Sequence, residues 1–380
     1  MTHLSIDALF DGGNIRVIDA SNPSAIKLAI RPDAYSAYYQ WFFFRVSGAR
    51  GIPLTLQLTN AGGAAYPRGW TGYRAVASTD RRRWTRVATE YRDGVLTISL
   101  TPDGECVWVA YFAPYTGEDL ARFLGETGTS PLVQHQVLGH TLDGRPMDCL
   151  AIDSGAPGLK TAWIVARQHP GETMASWFIE GLVSRLIDPA DTVAAMLRRH
   201  LRFFIVPNMN PDGSARGHLR TNAAGVDLNR EWETPSHARS PEVALVRERM
   251  IATGVDYCLD VHGDEANPHC FHIGTHDVAA QTPHMTSLFD RFLAALVAAS
   301  PDFHAENGGW RPSGSPSALT LCSRQVANRF QCLASTLEMP FKDEPHTPGD
   351  PEGWSAARSR ALGAAHLDAL AAVVADLRPR

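Results

Sequence analysis

The strongest chemical signal in the chain lies in His169-Pro170-Gly171-Glu172. Pro-Gly cannot sit inside a helix, so the two ligand-type side chains project from a turn. The turn follows the apolar run 161–166 and precedes an amphipathic stretch. It therefore falls at a strand's carboxyl end, where open α/β sheets place their sites. Neighbouring ligands on a tight turn lose little entropy on converging at a metal. A catalytic zinc needs a third protein ligand and an open position. His262 ends the run 256–261, at another strand's carboxyl end, and is the candidate. A bare H-x-x-E also arises by chance, and a polar turn with two unrelated surface histidines accounts for the residues taken singly.

The segment 208–232 is more polar than a connection between two hydrophobic elements needs to be. It carries Arg220, Asn229 and Arg230. Guanidinium groups grip carboxylates through a bidentate fork, and Asn adds a neutral donor. A site that cuts only at a chain end must recognise that end's carboxylate, so metal plus arginine is exopeptidase logic. An Asx-rich loop with solvated arginines is the plainer account. Further on, Glu338 lies between Leu337 and Met339 in the run 335–339. A carboxylate among apolar neighbours needs a reason. Pairing with Lys342 or Arg329 is one, and general-base chemistry is another.

Together, His169-Pro-Gly-Glu172, Asn210-Pro-Asp-Gly213, Gly225-Val-Asp-Leu-Asn-Arg230 and the later His262 resemble the zinc metallocarboxypeptidase family, over about residues 115–380. An all-β region directly before them, with Arg220-Thr-Asn and Thr336-Leu-Glu-Met-Pro-Phe341, resembles its cytosolic carboxypeptidase branch. The resemblance implies an α/β/α peptidase domain, a single zinc, and removal of C-terminal amino acids from a peptide or protein. In the cytosolic branch it implies release of glutamate from acidic tails or side chains, the latter through an isopeptide bond. It assigns His169, Glu172 and His262 to zinc and Asp227 to orienting His169. Asn229 and Arg230 would hold the terminal carboxylate, and Arg220 would polarise the scissile carbonyl. Glu338 would be the general base that takes a proton from the attacking water and passes it to the leaving amine.

The chain also departs from the pattern. Many relatives carry a mobile Tyr before the catalytic glutamate, yet no Tyr follows Tyr257 here. Asp264 and Glu265 add negative charge beside the third ligand. His269 and His272 suggest a second metal only weakly, being three apart on an irregular segment. Arg324, in the stretch that lines the specificity pocket of relatives, is the candidate partner for a substrate glutamate, with a surface arginine as the plain alternative.

These residues need a scaffold. Residues 1–114 show short alternating runs separated by turn signals, such as 54–58 and 95–100, and predict an all-β sandwich. Tyr66, Trp70 and Tyr73, in a Gly-rich loop there, fit core packing or a domain contact better than a ligand site. From 115 to 380 strands and helices alternate, predicting an α/β domain with a mixed, mostly parallel sheet. Runs 161–166, 202–206, 256–261 and 335–339 suit buried strands. Helices are expected after Glu172, from Ser240-Pro241 with a capping serine, around 285–296, and over 353–377. Residues 308–317 read as a loop able to shape a cleft.

Composition narrows the function classes. The chain has 380 residues, of which 44% are hydrophobic and 20% charged, as in a globular protein with sizeable cores. A net charge of -5 gives no nucleic-acid signature, and no apolar run approaches the ~20 residues of a membrane span. No secretory signal is visible, so a cytoplasmic location with six reduced cysteines is expected. Two other functions fit the same fold: a zinc amidohydrolase of N-acyl amino acids, and a non-catalytic binding protein. Oligomeric state and natural substrate are not legible.

Overall fold

A computed structural model describes residues 4–307, 309–310, 319–343 and 350–377. Its first ten strands, from Ser5–Asp7 to Cys106–Ala110, form two five-stranded sheets. Alternation drives their packing. In Leu54–Leu58 the three leucines are buried while Thr55 and Gln57 are half-buried. Inner faces of both sheets share one core that includes Phe44, Val109, Leu56 and Ile98. The expected sandwich is present.

The remaining chain begins with helix α1 (Gly117–Thr127), started by a capping box between Thr116 and Asp119. Strands β1 (Val133–His140) and β2 (Pro146–Ile152) form an antiparallel pair. Then come β3 (Lys160–Ala166), α2 (Met174–Leu186), α3 (Thr192–His200), β4 (Leu201–Val206) and the short α4 (Pro211–Arg216). Next are α5 (Pro241–Thr253), β5 (Tyr257–Asp264), β6 (Phe271–Ile273), α6 (Pro283–Ala299) and β7 (Gly309–Trp310). The chain continues through α7 (Cys322–Phe330), β8 (Leu333–Pro340) and α8 (Ala356–Ala371).

The eight strands form one mixed sheet in the order β1-β2-β4-β3-β5-β8-β6-β7. Its centre, β4-β3-β5-β8, is parallel. Strand β3 is buried on both faces, and the parity of its residues sorts them between two cores. Ala162, Ile164 and Ala166 pack with Phe178 of α2, Leu288 of α6 and Leu362 of α8. Trp163 and Val165 pack with Val243 of α5 and Val326 of α7. Helices therefore cover both faces of the sheet. The first of these cores runs without a break into the sandwich, where Tyr111 stacks on Phe341 at 4.6 Å.

One expectation changes, one helix was not foreseen, and one segment goes untested. Ser240 precedes α5 but makes no side-chain cap, because its hydroxyl bonds Glu231 and the Ser236 carbonyl. Helix α7 has Leu321 at its N-cap and no side-chain capping bond, so nothing in the sequence announced it. Most of the 308–317 loop lies outside the described residues, apart from Gly309–Trp310 in β7. All six cysteines are free thiols, and five are buried.

Candidate active site

The parallel strands end at a common edge, and the site is built there. Immediately after β3, Arg167 takes a left-handed φ of 60°. Its buried guanidinium donates to the Pro170 and Tyr115 carbonyls and so braces the turn that carries His169 and Glu172. Gly213 of α4 leaves the opposite side open. A Cβ there would lie 2.4 Å from Pro170 Cγ and 2.5 Å from the Thr221 oxygen, so only glycine fits. The Asn-Pro-Asp-Gly motif is thus partly architectural. Asn210 caps α4 and donates to the Gln168 carbonyl, and buried Asp212 accepts from Thr141 Oγ1 at 2.7 Å.

His262 and Glu338 stand directly opposite one another in the β5–β8 register. Asp260, two residues before His262, points to the same face by strand periodicity. His169 Nδ1 lies 2.7 Å from Glu172 Oε1, and His262 Nδ1 lies 2.8 Å from Glu172 Oε2. The two Nδ1 atoms are 3.1 Å apart. At the back of each ring sits a carboxylate: Asp227 at 3.1 Å from His169 Nε2, and Asp260 at 2.9 Å from His262 Nε2. A carboxylate behind an imidazole holds the proton on that nitrogen and leaves the other lone pair facing forward. Two lone pairs and the Glu172 carboxylate then face one another in a buried space, which is a donor set suited to a cation. His169, Glu172 and His262 offer ligand atoms all within 4.8 Å of each other, and they are the only such metal-capable group among the described residues. This donor set fits zinc.

Electrostatics agree. Burial alone would raise Glu172, but His169 and His262 bring it down to about 2. Burial would likewise raise Asp227, yet His169, Arg220 and Arg230 hold it far below the usual carboxylate range. Burial opposes charge on His262, and Asp260 and Glu172 overcome it, raising its affinity for a proton well above normal. Glu338 is pushed well up by burial and by Glu172, Asp264 and Asp260, against His262. Glu265 is pushed up to about 8 by burial and Glu172, with Arg220 opposing.

A cavity of about 220 Å³ opens over these groups. Its lining includes every residue expected to bind zinc, hold substrate or act in catalysis; Asp227, expected only to orient His169, lies behind that ring. Arg220 Nε donates to Asp227 Oδ2 at 2.8 Å. Arg230 is exposed and donates to the Asn229 carbonyl. Asn229 is more occupied than expected. Its Oδ1 accepts from the Cys322 N–H at 2.9 Å, and its Nδ2 lies 3.2 Å from His262 Nε2. Arg324 reaches the cavity wall but is ion-paired with buried Asp277 at 3.1 Å. His272 is not part of the metal-capable group, and its Nε2 lies 3.1 Å from His366 Nε2. Of the loop aromatics, Trp70 and Tyr73 are core residues, whereas Tyr66 lines the cavity.

Several contributors escaped the sequence reading. Asp260 was detectable as an acid two residues before a histidine on a buried strand. Gln168 carries no signal of its own, yet its Nε2 donates to Asp260 and its Oε1 accepts from Trp232. Arg167 likewise reads as an ordinary arginine.

A mixed sheet, parallel at its centre and covered on both faces, with a His-Glu-His group at the carboxyl edge of its parallel strands and a β-sandwich before it, defines a metallopeptidase architecture. The comparisons agree. A family model described as zinc carboxypeptidase matches residues 124–290, and one described as the cytosolic carboxypeptidase N-terminal domain matches 6–112. A metallo-carboxypeptidase structure from Burkholderia cenocepacia is 45% identical, with a TM-score of 0.94 and 99% of each chain covered. One from Pseudomonas aeruginosa, in complex with (2-guanidinoethylmercapto)succinic acid, is 44% identical with a TM-score of 0.96, covering 98% of this chain and all of that one. Cytosolic carboxypeptidase 6 of Caenorhabditis elegans is 27% identical across 92% of this chain and 82% of its own. The chain belongs to the zinc metallocarboxypeptidase family and carries the N-terminal domain of its cytosolic branch; it is a peptide hydrolase.

Proposed function

We propose that the enzyme binds one zinc per chain through His169, Glu172 and His262 and releases single residues from free C-termini. The observation that carries this reading is the convergence of the three ligands beside Glu338, fixed by the His262–Glu338 register. Bound zinc supplies Lewis acidity to the scissile carbonyl and to the attacking water. The protein's own groups do the rest. A Glu338 carboxylate oxygen accepts the water's proton and delivers it to the leaving amine nitrogen. Arg220, held by Asp227, donates to the carbonyl oxygen as negative charge develops there. Arg230 and the amide of Asn229 take the terminal carboxylate. In an internal peptide these donors would meet a neutral amide, so the geometry favours chain ends.

The terminal side chain is assigned to the wall formed by Ile273, Leu321, Ser323, Arg324 and Thr336. Arg324 supports a preference for acidic residues, glutamate above all. Asp277 orients its guanidinium but also offsets its charge, so the preference should be moderate. The ligand of the Pseudomonas relative joins a succinic acid to a guanidino group, and its charges do not decide between an acidic and a basic side chain. A cytoplasmic location follows the naming of the cytosolic relatives, and cell fractionation tests it. The decisive measurement compares peptides that differ only in the last residue, each with a free and an amidated C-terminus. Release from free ends alone, fastest for Glu, is expected. Cleavage of amidated peptides would overturn the exopeptidase reading, and faster release of Leu or Lys would overturn the acidic preference.

A further inference from the structure

Arg220 belongs to the peptidase half, yet its environment is largely made by the sandwich. Asp33, buried at 3% exposure, turns its carboxylate onto the loop that carries Arg220. Oδ1 accepts from the Leu219 N–H at 2.6 Å, and Oδ2 accepts from the Arg220 and Thr221 N–H groups at 2.8 Å each. The Thr221 hydroxyl adds a fourth bond at 3.0 Å. Next to it, the Ala34 N–H donates to His218 Nε2, and Asn14 Nδ2 donates to the Gly217 carbonyl. The guanidinium is held separately. Tyr38 and Tyr66 present their rings 5.5 and 5.7 Å from its carbon.

The Asp33 arrangement is specific in its chemistry. Three consecutive backbone N–H groups aimed at one anion form a rigid concavity. Charge-assisted bonds of this kind are short and strong. The aromatic faces then limit the sweep of a long, otherwise mobile side chain and favour its cationic end. Asp227 fixes Nε on the remaining side. Arg220 thus has its backbone set by Asp33 and its head set by Asp227 and two tyrosines, with three of these four residues outside the sequence motifs.

We infer that the N-terminal domain is a working part of the active site, with Asp33, assisted by Tyr38 and Tyr66, acting as the positioning group for Arg220. This rests on the catalytic reading of Arg220 given above. An asparagine at 33 would turn an amide NH₂ toward N–H donors, displacing the loop. A 1 Å misplacement of a catalytic group costs up to about 10²-fold in rate.

The test is a double-mutant cycle on the full chain, using a free C-terminal peptide, with zinc content and thermal midpoint measured for every variant. Asp33→Asn should lower kcat strongly with little change in KM and with zinc retained. Combined with Arg220→Lys it should cost little beyond Arg220→Lys alone, because both disable the same interaction. Where Asp33→Asn does not fold, the cycle is run with Tyr66→Leu, for which the same non-additivity is expected. A folded, zinc-loaded Asp33→Asn with normal kcat would overturn the inference, as would losses that multiply in full with Arg220→Lys. Full activity of Arg220→Lys itself would instead remove the catalytic reading of Arg220, and the positioning claim with it.

Discussion

Two pairs of histidines are buried in the peptidase half, and each brings ring nitrogens to 3.1 Å of one another. In the first, His169 and His262 share Glu172 in front and have Asp227 and Asp260 behind. In the second, His272 and His366 lie among Phe178, Phe292 and Phe303. Their bonds close without charge: His366 Nδ1–H donates to the Leu362 carbonyl, His272 Nε2–H to His366 Nε2, and the Ser335 hydroxyl to His272 Nδ1. The contrast points to what suits the first pair to the proposed metal site. It is not burial or proximity, which the pairs share, but carboxylates that fix both protons outward and gather negative charge at the centre.

The comparison can be broken most severely at the ligands. His262→Ala is expected to lose zinc by metal analysis and to drop turnover to background. Replacing a member of the second pair, as in His366→Gln, should leave zinc content unchanged. Retained zinc in His262→Ala, or lost zinc in His366→Gln, would refute the distinction. Glu338→Gln comes next. An amide cannot take the water's proton, so a loss of about 10²–10⁴-fold in kcat is expected. Zinc and fold should be kept, since Glu338 is not among the converging ligands. Near-normal turnover would rule out its role as base.

Asp260→Asn sharpens the comparison without destroying the centre. Changing the carboxylate behind a metal-bound histidine typically costs about 10–100-fold in metal affinity. Competition with a chelator should show that loss, while the saturated enzyme keeps most of its activity. Unchanged zinc affinity would mean that the rear carboxylates are not what separates the two pairs.

Some of this was legible in the sequence because it is local. Pro170-Gly171 dictates a turn, so His169 and Glu172 had to project together. Period-two alternation located the strands 54–58 and 95–100 with the bounds observed. What could not be read was set by distance along the chain or by missing local signals. Asp33 acts on a loop nearly two hundred residues away, and nothing in Arg31-Pro-Asp-Ala announces it. Arg324 looked like a free cation because Asp277, its partner, is supplied by the turn after β6. The missing loop Tyr was itself legible, but not that a tyrosine of the other domain, Tyr66, lines the cavity.

The smallest effect tests the neutral pair directly. Burial lowers the proton affinity of both rings: His366 falls to about 4, while burial and the neighbouring His366 hold His272 well below its usual value. In an unfolded chain both would titrate near 6.5. Between those limits the unfolded state binds more protons, so stability is full above pH 6.5 and falls as pH drops toward 4. His366→Gln removes one of the two groups, while its side-chain oxygen can still accept from His272 Nε2–H. The variant should be slightly less stable at pH 7.5, by about 1 kcal/mol from imperfect packing and hydrogen-bond geometry. Its denaturant midpoint should then decline less than the wild type's between pH 6.5 and pH 5. Chelated enzyme must be used for both proteins, because loss of zinc in acid would otherwise add its own pH dependence. Identical slopes for the two proteins would show that the pair is not held neutral, and the distinction between a charged centre and an uncharged strut would fail at its uncharged end.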